Sequence, residues 1–142
     1  MIVFGADHAG FELKEYLKKY LFDQGYEIYD AGAYVLDEQD SFADITPKAI
    51  KVLQADPNNR AIIICGSGVG VCIASNRHKG VYACNCHSVK ETIKARQHNN
   101  INVLNLGGRV ICKCRAKAIV KAFLNTEHLG GKYLERMTKL DK

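Results

Sequence analysis

The stretch AIIICGSGVG, residues 61–70, decides the fold. It opens with an unbroken apolar run, which is typical of a strand buried on both faces of a parallel sheet. Cys65 ends that run, and small residues and glycines follow it as far as Gly70. The pattern predicts a strand, a thiol at its carboxyl end, and a glycine loop that leads into a helix.

Strand-like and helix-like segments alternate along the rest of the chain. Four further apolar segments predict strands at residues 1–5, 26–32, 80–86 and 101–106. Helical spacing and helix-start signals predict helices near 13–21, over 46–55, 88–99 and 113–125, and after Gly131. No linker or repeat interrupts them. The alternation predicts one α/β domain over residues 1–142, with a five-stranded parallel sheet and helices on both sides.

Polar residues follow three of the predicted strands. Asp7 and His8 come after the first strand, Cys65 begins the cluster after the third, and His87 and Ser88 follow the fourth. In open parallel sheets the ligand site lies beyond the carboxyl ends of the strands. We therefore expect Asp7, His8 and Cys65 to meet at one edge of the sheet.

Composition narrows the function classes. With 142 residues, 47% of them hydrophobic, the chain can bury one continuous core. The net charge is only +5 and there is no tryptophan, which disfavours nucleic acid and suits a small anion such as a phosphate ester. No apolar run is long enough for a membrane span, and Asp7 comes too early for a signal peptide. We expect a soluble, cytoplasmic protein.

The six cysteines are expected to be free thiols and small buried side chains rather than disulfides. Two CxC pairs, Cys84 with Cys86 and Cys112 with Cys114, leave a zinc or thiol-redox protein as an alternative. Zinc sites usually place two to four residues between their cysteines, so no metal is predicted.

The glycine loop excludes three familiar phosphate sites. It lacks the lysine of a nucleoside triphosphate loop, and Val71 stands where a dinucleotide fingerprint needs glycine and where a cysteine phosphatase needs arginine. The remaining features are free backbone amides, which stabilise an oxyanion, and Cys65 beside them as a thiolate base. The alternative is a buried cysteine before a tight turn.

Three other groups of polar residues each have a structural alternative. Asp7 and His8 could be a helix cap and a surface imidazole, and His98 and Asn99 could simply end a helix. Lys132 and Arg136 share one helical face, where they could bind a phosphate or only be solvated.

Four motifs, taken together, resemble the ribose-5-phosphate isomerase type B family, which includes galactose-6-phosphate isomerase subunits. They are GADHAG at 5–10, ICGSGVG at 64–70, RQHNNINVLNLGGRVI at 96–111 and GGKYLER at 130–136. The resemblance implies a Rossmann-like three-layer α/β/α fold and interconversion of ribose 5-phosphate and ribulose 5-phosphate in the pentose phosphate pathway. It also implies no metal or other cofactor, and a homodimer or tetramer whose subunits share each active site.

The resemblance also implies a role for each matching residue. Cys65 is the base, Ser67 orients it, and His98 opens the sugar ring. The enediolate is held by loop amides, those of Gly66, Gly68, Val69 and Gly70. Asp7 and Asn99 bind the sugar, and four side chains bind the phosphate: His8, Arg109, Lys132 and Arg136. The C-terminal helix, about 130–140, packs on the partner subunit.

The chain departs from the family pattern in two places. Lys132 and Tyr133 replace the usual arginine and histidine, so a point charge replaces a bidentate grip on phosphate. The segment from Asp40 to Asp44 lacks a tyrosine that usually faces the sugar. A hexose phosphate, allose or galactose 6-phosphate, is therefore an alternative substrate, and a non-catalytic sugar-phosphate sensor is an alternative function.

Overall fold

The computed structural model describes residues 1–141. Its five strands are β1 (Ile2–Ala6), β2 (Ile28–Asp30), β3 (Arg60–Cys65), β4 (Ala83–Asn85) and β5 (Val103–Gly107). They form one parallel sheet in the order β2-β1-β3-β5-β4. The helices are α1 (Phe11–Asp23), α2 (Phe42–Leu53), α3 (Val69–Ser75), α4 (Val89–Asn99), α5 (Lys113–Asn125) and α6 (Lys132–Met137). This arrangement confirms the predicted three-layer α/β fold.

Strand β3 separates two hydrophobic cores. Ile62 and Ile64 face a core that includes residues of α1 and α5, such as Leu17 and Phe123. Ile63 and Cys65 face the other core, to which α2 and α3 contribute. The apolar run before Cys65 is therefore buried on both faces, as predicted. The thiol itself belongs to the α2 and α3 side of the sheet.

Helix α2 begins earlier than predicted, at Phe42 rather than near Thr46. The Ser41 side chain accepts a hydrogen bond from the Ala43 N–H, which caps the helix there. Thr46 lies inside the helix and donates its hydroxyl to the Phe42 carbonyl. The early start places Phe42 at the edge of the sheet where the polar clusters lie.

Two of the six cysteines contradict the expectation of burial. Cys112 and Cys114 are exposed, because they lie at the start of α5 on its solvent side. Cys65 and Cys86 are buried, and all six thiols are free. Within residues 1–141, no helix combines the length and apolar character needed to cross a membrane.

A fully buried lysine ties α1 to the end of β2. Lys14 Nζ lies 2.8 Å from both carboxylate oxygens of Asp30. Burial would raise the pKa of Asp30, but hydrogen bonds from Lys14, Lys18 and the Gly32 amide outweigh it and hold that pKa below its ordinary value. This ion pair joins α1 to β2, the edge strand that lies two strands away from β3.

Candidate active site

The carboxyl ends of β1, β3 and β5 surround a cavity of about 400 Å³. It lies where the strand order reverses, between β1 and β3, which is the usual ligand position in doubly wound sheets. It is lined by Asp7, His8, Ala9, Phe42, Cys65, Gly66, Ser67, Gly70, Arg109 and Val110. The expected meeting of Asp7, His8 and Cys65 at one edge is therefore confirmed.

The Cys65 thiol is held by the loop that follows it. Its side chain is 4% exposed, and Sγ accepts a hydrogen bond from the Gly68 N–H at 3.2 Å. Gly68 has φ of +82°, and a Cβ there would lie 2.3 Å from Asn85 Oδ1, so only glycine fits. The donated N–H fixes the position of the Cys65 sulfur at the cavity wall.

Three amides of the loop are free to bind an anion. The N–H groups of Gly66, Ser67 and Gly70 donate to no acceptor among residues 1–141, and all three residues line the cavity. The Val69 N–H, by contrast, donates to Ser67 Oγ at 3.2 Å, and the Gly68 N–H is used by Cys65. The Gly68 amide contacts the thiol, and among residues 1–141 no hydrogen bond joins the Ser67 hydroxyl to it. Within the predicted Gly66–Gly70 loop, the amides of Gly66, Ser67 and Gly70 are available to an oxyanion.

Asp7 has a local structural role as well as a place in the cavity. Its Oδ1 accepts hydrogen bonds from the N–H groups of Ala9 and Gly10, at 3.0 and 3.2 Å. Gly10 is required next to it, because a Cβ would lie 2.5 Å from the Ile64 carbonyl oxygen. This close approach holds the loop after β1 against β3, and so holds Asp7 next to the Cys65 loop.

Arg109 brings a positive charge to the cavity. Its backbone N–H donates to the Gly66 carbonyl at 3.0 Å, and its side chain lies beside Gly66. It forms no ion pair with a carboxylate in the part of the chain that the structure describes. A guanidinium beside free amides is suited to a phosphate.

The structure does not bring the remaining predicted residues into this cavity. Helix α4 starts at the carboxyl edge of the sheet and runs back, so His98 and Asn99, in its last turn, lie at the amino edge. The His98 ring stacks on Tyr133 of α6, with centroids 4.4 Å apart and planes 4° apart. Lys132 Nζ lies 5.3 Å from the Tyr133 ring centroid and the Arg136 guanidinium carbon 5.7 Å from it.

These residues form a second polar cluster, which we call the α4–α6 cluster: His98, Asn99, Lys132, Tyr133 and Arg136. Asn99 Nδ2 lies 3.5 Å from Met137 Sδ, which joins the two helices. The predicted site is thus divided between two ends of the protomer. The thiol and two predicted phosphate ligands, His8 and Arg109, lie in the cavity. The predicted ring-opening histidine and the two other predicted phosphate ligands lie in the α4–α6 cluster.

Sequence reasoning missed two residues that shape the cavity. The Phe42 ring closes one wall and approaches Gly70 so closely that a Cβ there would lie 2.9 Å from it. Asn85, at the end of β4, donates its Nδ2 to the Ser67 carbonyl at 3.2 Å. The position of Asn85 at the end of a predicted strand was the one available signal.

Within residues 1–141 there is no group of three or more His, Cys, Asp or Glu side chains arranged to hold a metal ion. The thiols of Cys84 and Cys86 lie close enough to shift each other's pKa. A hydrogen bond from Cys86 lowers the pKa of Cys84, and the same bond raises the pKa of Cys86. Two sulfurs without further ligands fall short of a tetrahedral zinc site.

Fold and cavity together define a class of protein. It is a doubly wound α/β protein with a thiol beside a loop of free backbone amides, and with an arginine and a histidine in the same cavity. Such a site is equipped to move a proton between carbon atoms of an anionic metabolite.

Comparison with known proteins agrees with this class. The model of the ribose/galactose isomerase family matches residues 2–140, and the chain belongs to that family of isomerases. A probable ribose-5-phosphate isomerase B of Mycoplasma pneumoniae is 37% identical, over 98% of this chain and 91% of its own. A 4-deoxy-4-sulfo-D-erythrose isomerase of a Clostridium species is also 37% identical, over 88% of this chain and 79% of its own.

A solved structure with a bound sugar phosphate is also similar to this chain. Ribose-5-phosphate isomerase B of Mycoplasma genitalium with bound ribulose 5-phosphate superposes with a TM-score of 0.94 at 34% identity. The match covers 98% of this chain and 92% of that one.

Proposed function

We propose that the protein interconverts ribose 5-phosphate and ribulose 5-phosphate through an enediolate, as a cytoplasmic step of the pentose phosphate pathway. The observation that carries the proposal is the Cys65 thiol, held by the Gly68 amide at 3.2 Å inside a cavity that also contains Arg109. The names of the similar isomerases and the ribulose 5-phosphate bound to the Mycoplasma genitalium protein support it.

The chemistry uses groups that lie in the cavity. The Cys65 thiolate removes the proton from C2 of the open aldose, and the electron pair moves into the C1–C2 bond while the C1 oxygen gains negative charge. The free amides of Gly66, Ser67 and Gly70 stabilise that oxygen. The thiol then returns the proton to C1 as C2 becomes the ketone, and the proton of the C2 hydroxyl passes to the C1 oxygen, which becomes the C1 hydroxyl. No external oxidant or reductant takes part.

We assign phosphate binding to side chains of the cavity and of the α4–α6 cluster. His8 and Arg109 lie in the cavity, and Lys132 and Arg136 lie on α6 in the α4–α6 cluster. Since α4 holds its cluster at the other edge of the sheet, we assign the second pair, with His98 and Asn99, to a partner subunit. Each active site of a homodimer then takes its thiol from one chain and its ring-opening histidine from the other.

The surface next to the cavity supports such a dimer. Val69, Ile73 and Val110 are each more than half exposed and lie beside the glycine loop and Arg109. Exposed apolar side chains that cluster around a ligand site are typical of an interface. In our proposal, α6 of the partner covers this surface and brings Lys132 and Arg136 to the phosphate.

Mixing two inactive variants tests the shared site. Cys65→Ala lacks the thiol, and a Lys132→Ala, Arg136→Ala double variant lacks the partner's cations. When the two are unfolded and refolded together, we expect roughly a quarter of wild-type activity, since about half of the dimers are mixed and each has one complete site. Refolding Cys65→Ala with Cys65→Ser is the matched control and should recover nothing. An equal absence of activity in both mixtures would contradict the shared site.

A coupled assay tests the substrate. We expect kcat/KM for ribose 5-phosphate to exceed that for allose 6-phosphate and for four-carbon sugar phosphates by at least about tenfold, because a chain of the wrong length cannot place C2 at Cys65 with its phosphate on the cations. The four-carbon substrates are included because one relative is named for a four-carbon sulfo sugar. A higher kcat/KM for either competitor would assign this chain a different sugar phosphate.

A further inference from the structure

Asp40, in the loop before α2, is a carboxylate that the proposed chemistry does not use. Its Oδ1 accepts the backbone N–H of His8 at 2.8 Å and contacts Nδ1 of the same residue at 2.9 Å. His8 lines the cavity, whereas Asp40 does not and is only 12% exposed. Asp40 therefore holds both the main chain and the ring of a predicted phosphate ligand.

The second oxygen of this carboxylate needs a nearby positive charge. Asp40 Oδ2 is buried and has no hydrogen-bond partner among residues 1–141. In the same part of the chain, His8 is the one side chain with which Asp40 forms an ion pair. A carboxylate withdrawn from water with one oxygen unpaired is costly unless a cation neutralises it. The imidazolium form of His8 is that cation.

The charges around His8 also favour its imidazolium form. The hydrogen bond with Asp40 raises the pKa of His8 above its ordinary value. Burial lowers this pKa, the negative charges of Asp7 and Asp40 raise it, and Arg109 lowers it. Lys132 and Arg136 of the partner subunit, which the proposed dimer brings to the phosphate, would act in the same direction as Arg109. A bound phosphate dianion raises the pKa of His8 and so offsets the effect of these cations.

We propose that Asp40 is a positioning residue, which keeps His8 with Nδ1–H turned to the carboxylate and Nε2–H turned to the phosphate of the substrate. The inference rests on the proposed function for the identity of that substrate. Nε2 makes no hydrogen bond to any of residues 1–141, and the ring lies at the cavity wall beside Arg109. The carboxylate thus converts an imidazole into a fixed, charged donor.

The variant Asp40→Asn tests this role, because it keeps an oxygen acceptor and the size of the side chain but removes the charge. We expect KM for ribose 5-phosphate near pH 8 to rise about tenfold and kcat to change less than about twofold. The ratio of variant to wild-type KM should approach one below about pH 6, where the imidazole is protonated in both proteins. An NMR titration without substrate should show His8 losing its proton at a lower pH in the variant.

Three controls make the result decisive. Asp37→Asn changes an exposed aspartate of the same loop and should alter neither KM nor the titration of His8. In a His8→Gln background, Asp40→Asn should have no further effect on KM. Inorganic phosphate, followed by NMR shifts, should bind more weakly to Asp40→Asn than to wild type, whether or not the protein isomerises ribose 5-phosphate.

Two outcomes would overturn the inference. An unchanged titration of His8 in Asp40→Asn would remove the coupling between the two residues. A lowered titration midpoint of His8, with unchanged KM and unchanged phosphate affinity, would mean that Asp40 has no role in binding the substrate. Wild-type protein without isomerase activity would contradict the proposed function instead, and the phosphate titration would then decide the role of Asp40 by itself.

Discussion

Replacing Cys65 with alanine is expected to lower kcat about 10²- to 10⁴-fold while the protein stays folded. The variant keeps the loop amides but loses the group that carries the proton between C2 and C1. The side chain is small and its Sγ receives one hydrogen bond, from the Gly68 amide, so the free energy of unfolding should fall by only about 1 kcal/mol. Steady-state kinetics and urea unfolding measure the two effects separately.

Cys72→Ala is the matched control for this variant. Cys72 is partly buried and lies seven positions after Cys65 in the chain. It contacts the Ala83 carbonyl and Asn76 and does not line the cavity. Its loss should cost stability without changing kcat. Near-normal turnover by Cys65→Ala would mean that another group is the base.

Iodoacetamide should inactivate wild type, and ribose 5-phosphate should slow the inactivation, although the exposed Cys112 and Cys114 also react.

Replacing His98 with asparagine is expected to separate ring opening from isomerisation. Ribose 5-phosphate is mostly cyclic, whereas ribulose 5-phosphate cannot close a five-membered ring because its C5 oxygen carries the phosphate. Without His98, the enzyme can use only the aldose that opens spontaneously in solution. With ribose 5-phosphate, the rate should therefore stop rising at high concentrations of the variant, at the rate of spontaneous opening.

The other measurements define the control and the contrary result. Wild-type rates from ribose 5-phosphate, and rates of both proteins from ribulose 5-phosphate, should stay proportional to enzyme concentration. His87→Asn changes an exposed histidine just before α4 and should behave as wild type. If the rate of His98→Asn from the aldose stays proportional to its concentration throughout, His98 does not open the ring and its stack on Tyr133 has another purpose.

Local sequence patterns were sufficient for the fold and for one half of the site. The apolar run before Cys65 needs two buried faces, and the alternation of strands and helices then requires parallel pairing. Because the carboxyl ends of parallel strands share one edge, Asp7, His8 and Cys65 had to meet there. Cys112 and Cys114 show the limit of this reasoning, since an apolar neighbourhood in the chain did not give them buried positions.

The sequence by itself determined the order of strands and helices, the thiol at the end of β3 and the glycines after it, because these depend on spacings of two to four residues. Only the tertiary structure decided which distant groups touch. Asp40 reaches His8 across 32 positions, Phe42 closes the cavity, and His98 is carried to the far edge of the sheet by α4. Such contacts depend on how whole helices and loops pack against the sheet, which no local spacing encodes.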